Sequence, residues 1–96
     1  MEFTKQPDET YVFAVDFSDI LATDETISSE TVTAIDEEDN SDATTIVIDS
    51  SVVSGNNVNI KIKNGIDLHD YKITCIIITS NTNTYEEDIR MKVRAI

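Results

Sequence analysis

Ninety-six residues with 19 acidic and seven basic side chains give a net charge of −12 and room for one domain. That charge argues against a nucleic-acid partner, since phosphate binding requires a basic face, and no apolar run approaches the roughly 20 residues of a membrane span. A single cysteine, Cys75, rules out an intrachain disulfide, so packing alone must hold the fold.

In chain order, residues 1–10 are polar, carry the only proline, Pro7, and read as a flexible lead-in to a single domain over 11–96. They contain no apolar h-region, so no signal peptide is expected. Residues 11–17 alternate, with Tyr11, Phe13, Val15 and Phe17 on one face, which predicts a half-buried strand. Residues 18–25 read as a loop with Ile20 and Leu21 as an apolar plug. A second strand over about 27–35 has Ile27 and Ile35 out of phase with Val32 and Ala34, which predicts a bulge near Ser28-Ser29. Residues 36–42 form an acidic loop. A third strand is predicted over 44–49 and a short fourth piece over 51–54.

Gly55-Asn56-Asn57 is turn chemistry, because Gly and Asn tolerate positive φ. Val58, Ile60 and Ile62 then alternate with polar neighbours. Asn64-Gly65 closes that strand. Residues 71–79 are the most apolar strand, Asn81-Thr82-Asn83 makes a hairpin loop, and Ile89, Met91, Val93 and Ala95 alternate in the last strand. Turn signals every 8–14 residues and the absence of helical spacing predict an all-β chain. The architecture expected is an immunoglobulin-like antiparallel β-sandwich of about seven strands.

The residues between 67 and 73 sharpen that expectation. An acid four residues before a tyrosine, followed by an inward apolar residue, marks the corner that opens the penultimate strand of such sandwiches. Asp67, Tyr71 and Ile73 fit, with a structural role. Calcium could be held by carboxylates at alternate positions, and Asp36, Glu38, Asn40 and Asp42 have that spacing. Ser41 and Val47 stand where an EF-hand needs Gly and Glu, so they are weak candidates and no metal or other cofactor is expected. His69 has no nucleophile or elbow beside it, and Cys75 sits among isoleucines as a small buried hydrophobe, so no enzyme is expected.

Charge is uneven. Residues 1–50 hold 14 acids and one base, and residues 51–96 hold five acids and six bases. Ile76 and Ile78 fall on the face opposite the core, and Arg90, Lys92 and Arg94 project outward from the next strand. Together they predict an apolar spot rimmed by basic residues, able to meet the acidic half of another copy or another protein.

The order of short motifs resembles a known family. Pro7-Asp8-Glu9, Val15-Asp16-Phe17-Ser18-Asp19 and Asp24-Glu25-Thr26-Ile27-Ser28-Ser29 are similar to the opening of small tailed-phage and prophage virion-associated proteins. Tyr71 and residues 78–84 are similar to that family's ending. Phe17 stands where the family carries tryptophan, and Asn81-Thr82-Asn83 replaces a glycine-containing turn. The resemblance implies an immunoglobulin-like, non-enzymatic module of the head, connector or tail. It further implies synthesis in the host cytoplasm, then a place in the virion, and partners among other virion structural proteins or copies of itself. No nucleic acid, membrane or small-molecule substrate is expected. The alternative reading is a bacterial cell-surface or extracellular module that binds protein or carbohydrate.

Overall fold

The computed structural model describes residues 1–96, which form eight strands and one helical turn. The strands are β1 (Glu2–Lys5), β2 (Tyr11–Asp16), β3 (Ile27–Asp36), β4 (Ser41–Asp42), β5 (Ile48–Ser54), β6 (Asn57–Ile62), β7 (Asp70–Thr79) and β8 (Thr84–Val93). The helical turn, α1, is Thr44–Val47. A five-stranded sheet in the order β1-β8-β7-β3-β4 faces a three-stranded sheet in the order β2-β6-β5.

Two-residue periodicity explains the core. Val58, Ile60 and Ile62 on β6 face Tyr71, Ile73, Cys75 and Ile77 on β7 and Ile89, Met91 and Val93 on β8, all essentially without solvent contact. Their alternate neighbours are solvated, as the pleat requires. Each fully buried aliphatic side chain contributes about 1.5–3 kcal/mol relative to exposure. β-Branched residues dominate because their stiff side chains fit a pleated surface. The bulge expected near Ser28-Ser29 is present: the β3–β7 register shifts between Ile27 and Ser29. Leu21 packs against the core, whereas its neighbour Ile20 is exposed.

β2, β6 and β5 take the order of strands B, E and D of immunoglobulin sandwiches, and β3, β7 and β8 that of C, F and G, with β4 added beside C. A further departure from the constant-type order lies at the start of the chain. The first strand is absent from the side of B and runs parallel to G instead, pairing Glu2–Lys5 with Arg90–Val93.

That strand corrects the reading of residues 1–10 as a flexible lead-in. Phe3 packs on Phe13 with ring centroids 4.9 Å apart. The Lys5 ammonium is buried and donates to the backbone carbonyls of Gln6, Pro7 and Asn64. A four-residue strand that buries a lysine shows no periodicity to read. The strand predicted over 44–49 is also corrected, because residues 44–47 form α1. Asp42 Oδ1 accepts both the backbone N–H and the hydroxyl of Thr44, at 2.9 and 2.7 Å. That local bond favours a turn over an extended strand. It buries Val47 and leaves Ile46 exposed. With β1 and the two-residue β4, the strands number eight rather than seven.

Candidate functional site

At the end of the sandwich where β7 begins, three segments meet: the turn after β3, the loop after β6 and the chain following β8. Tyr71 is buried against the core, and its hydroxyl accepts the Ile66 N–H at 3.0 Å. Burial raises the Tyr71 pKa above the ordinary phenol value, so the hydroxyl stays protonated. Asp67 does not join that bond. Its carboxylate accepts the Ala95 N–H at 2.8 Å, tying the loop to the chain beyond β8. Gly65, at φ +102°, makes room: a Cβ there would lie 2.7 Å from Val93 Cγ2.

The acidic segment 36–42 is a compact turn between β3 and β4, closed by the Asn40 N–H on the Asp36 carbonyl at 2.7 Å. Its carboxylates do not converge. Asp36 accepts the Glu38 N–H at 3.0 Å and meets His69 Nδ1 at 2.7 Å, Asp39 takes Ser41, and Asp42 takes Thr44. Glu38 and Asn40 add no further ligand, and no group of three or more His, Cys, Asp or Glu side chains could hold a metal ion. Of the four alternate positions that suggested calcium, Asp36 and Asp42 each accept the N–H two residues on, which is turn chemistry.

His69 is held by the same geometry. The hydrogen bond to Asp36, opposed by desolvation, raises its pKa above the ordinary value of 6.5. Cys75 is fully buried, and burial first, then Glu30 and Glu87, push its thiol up to about 11. It is an inert core side chain.

The predicted contact patch separates into two places. Ile76 and Ile78 lie on the outer face of the five-stranded sheet, where they pair with Glu86 and Thr84 rather than with bases. Ile78 is 47% exposed and Ile76 is half-buried. Arg90, Lys92 and Arg94 lie toward the other end of β8 and are engaged within the chain. Arg90 makes a two-bond contact with Glu37 at 2.8 and 3.1 Å. Lys92 meets Glu2 at 3.3 Å, and Arg94 meets Asp70 at 2.7 Å. The basic rim therefore neutralises carboxylates at its own end of the sandwich.

The charge instead divides along the sandwich. The end built from residues 14–34, 50–60 and 73–88 carries no Lys, Arg or His, and holds Asp16, Asp19, Asp24, Glu25, Glu30, Glu86, Glu87 and Asp88. All seven Lys and Arg residues lie outside those segments, together with the other 11 acids. One carboxylate of the acidic end, Glu25, is buried. Oε2 accepts the Thr79 hydroxyl at 2.6 Å and the Asn83 amide at 3.0 Å, and Oε1 accepts the Ala22 N–H at 2.9 Å. Nothing in the sequence marks this junction, because Glu25 reads as one more loop acid.

A second feature not seen in the sequence is aromatic. Phe3 lies 6.3 Å from Tyr11 and 4.9 Å from Phe13, centroid to centroid, at the seam between the two sheets. Alternation placed Tyr11 and Phe13 together, but only the folding-back of β1 adds Phe3.

Residues 5–92 match a family model described as podophage GP4 fiber-tail adaptor protein gp77. No curated protein matches the chain.

Proposed function

This chain belongs to the gp77 family of podophage GP4 fiber-tail adaptor proteins, and we propose that it joins a tail fiber to the tail of a podophage particle. Family membership makes it a structural tail accessory protein of the virion that acts through contact with other virion proteins. It also replaces the alternative of a bacterial cell-surface module, and it selects the tail among head, connector and tail.

The observation that carries the proposal is the match across 5–92, which spans all but the ends of the sandwich. The physical character of the fold supports it. An adaptor must transmit force without yielding, and here two sheets close over a dry core of branched side chains. Loops at both ends are pinned by buried polar bonds, Tyr71 with Ile66 at one end and Glu25 with Thr79 at the other. The reactive side chains are occupied structurally, His69 by Asp36 and Cys75 by the core, which supports a role through shape rather than catalysis. A net charge of −12 supports protein partners over nucleic acid.

Deleting the gene from the phage tests this reading. Tails lacking fibers in electron micrographs, with fibers restored by the gene in trans, are the expected result. Particles that assemble a full set of fibers without the protein overturn it.

A further inference from the structure

The sandwich leaves four strands at sheet edges: β1 and β4 in one sheet, β2 and β5 in the other. Proteins protect such edges by keeping them short, bulged or charged. Three of the four are protected. β1 has four residues and β4 has two. The pairing of β5 slips between Ile48 and Ser50, beside an Asp49–Lys63 ion pair.

β2 has none of these devices. Its six residues, Tyr11–Asp16, pair with β6 without interruption, and the first five are uncharged and apolar. Phe17 donates its N–H to the Asn56 carbonyl at 2.9 Å. By the alternation of the ladder, Tyr11, Phe13 and Val15 therefore address β6, while Val12 and Ala14 turn their N–H and C=O groups to the open side. This is the side from which the first strand of the immunoglobulin order is missing. Beside it, Phe3, Tyr11 and Phe13 gather three of the chain's six aromatic rings. Tyr11 is 36% exposed and Val12 55%.

Charge selects the occupant. Asp8 and Glu9 precede the strand, Asp16 ends it and Asp19 follows it. No Lys, Arg or His occurs between Lys5, which is buried, and Lys61, which stands on β6 opposite Val12, on the paired side of β2. A second copy offering its own β2 in antiparallel pairing would set these carboxylates against their counterparts.

We propose that an extended segment of a partner virion protein, apolar at alternate positions and cationic at its ends, adds to the free edge of β2 as a further strand. The inference rests on the adaptor reading and names the place and chemistry of one of its contacts. Main-chain bonds to Val12 and Ala14 supply the affinity, and the ring cluster reads alternate side chains of the added strand.

The test uses the full chain and an array of overlapping peptides covering the fiber and tail proteins of the same phage. Peptides that bind are expected to be basic and β-prone, to lose affinity as salt rises, and to protect the Val12 and Ala14 amides from hydrogen exchange. Proline at position 12 removes an N–H that the ladder does not use, so Val12→Pro is expected to fold yet to bind about tenfold or more weakly. Ala14→Pro serves if Val12→Pro does not fold. Unchanged binding by a folded proline variant, or protection confined to other strands, overturns the proposal. So does self-association that the proline abolishes, since the occupant would then be a second copy. Phage carrying Val12→Pro with normal fibers would sink this inference and leave the adaptor reading intact, whereas normal fibers without the protein would sink the adaptor reading itself.

Discussion

Glu25 accepts the hydroxyl of Thr79 at 2.6 Å across 54 residues of sequence, and the bond fastens the loop before β3 to the end of β7. Thr79 and Asn83 donate to one oxygen of that carboxylate, and the Ala22 N–H donates to the other. The Thr79 hydroxyl first, then the Ala22 N–H, hold the Glu25 pKa below its ordinary value of 4.5.

A lowered carboxylate pKa stabilises the fold above the unfolded-state value, and the gain is lost as pH falls through the folded value. Glu25→Gln keeps the size but turns an amide N–H₂ toward donors. The variant is expected to melt below the wild type at neutral pH, with the gap closing as pH falls from the ordinary 4.5 through the lowered folded value. Thermal unfolding followed by circular dichroism across pH checks this. A gap that stays constant as the acid range is crossed would show that the carboxylate's charge is irrelevant.

His69 titrates in the opposite sense. Its pKa is raised, chiefly by the hydrogen bond to Asp36, so its contribution is complete below the ordinary 6.5 and disappears as pH rises through the folded value. The wild type is expected to lose stability as pH rises from 6.5 through the raised folded value, and His69→Asn to show a flatter profile there. An NMR titration of the imidazole gives the direct check: a midpoint at or below 6.5 contradicts the Asp36 contact.

Tyr71→Phe removes the acceptor of the Ile66 N–H while keeping the buried ring. An amide left without a partner at a partly buried position costs about 1–3 kcal/mol. For a domain of this size each kcal/mol lowers Tm by roughly 4–8 °C. Urea unfolding should show the loss in the midpoint with an unchanged m-value. A neutral substitution would mean that water replaces the hydroxyl.

The sequence made the corner at Tyr71 legible because a tyrosine four residues after an acid, at the start of an alternating run, has one favoured use in a sandwich. It made β6, β7 and β8 legible for the same reason: Ile60, Ile73 and Ile89 repeat on a strict period of two, and all three are fully buried. β1 was not legible. Four residues hold too few periods, and Lys5 is buried only because the carbonyls of its neighbours Gln6 and Pro7 and of distant Asn64 converge on its ammonium. α1 was hidden by its β-branched residues, whose strand preference yields to the two bonds that Thr44 donates to Asp42. The expected contact patch failed because periodicity gives the face of a residue but not its height along the strand. Ile78 and Arg90 share a face and lie at opposite ends of it, Ile78 opposite Thr84 and Arg90 opposite Lys72.

The two glycines separate backbone strain from steric crowding. Both have positive φ, +59° at Gly55 and +102° at Gly65, so alanine is strained at either. At Gly55 a Cβ would meet nothing within 4 Å, and Gly55→Ala should cost only the left-handed penalty of about 1–2 kcal/mol. At Gly65 the Cβ would lie 2.7 Å from Val93 Cγ2 and 3.4 Å from Tyr71 Cε2, and Val93 and Tyr71 are both fully buried. Neither can retreat without disturbing β8 or the corner, so Gly65→Ala adds an overpacking cost of about 1–3 kcal/mol. Denaturant midpoints should therefore rank wild type above Gly55→Ala and Gly55→Ala above Gly65→Ala. Gly65→Ala should also weaken hydrogen-exchange protection of the Ile66 amide, which Gly55→Ala leaves untouched. Equal midpoints for the two variants would show that the loop at Gly65 yields freely, and that the fit of this end of the sandwich against Val93 is looser than the distances require.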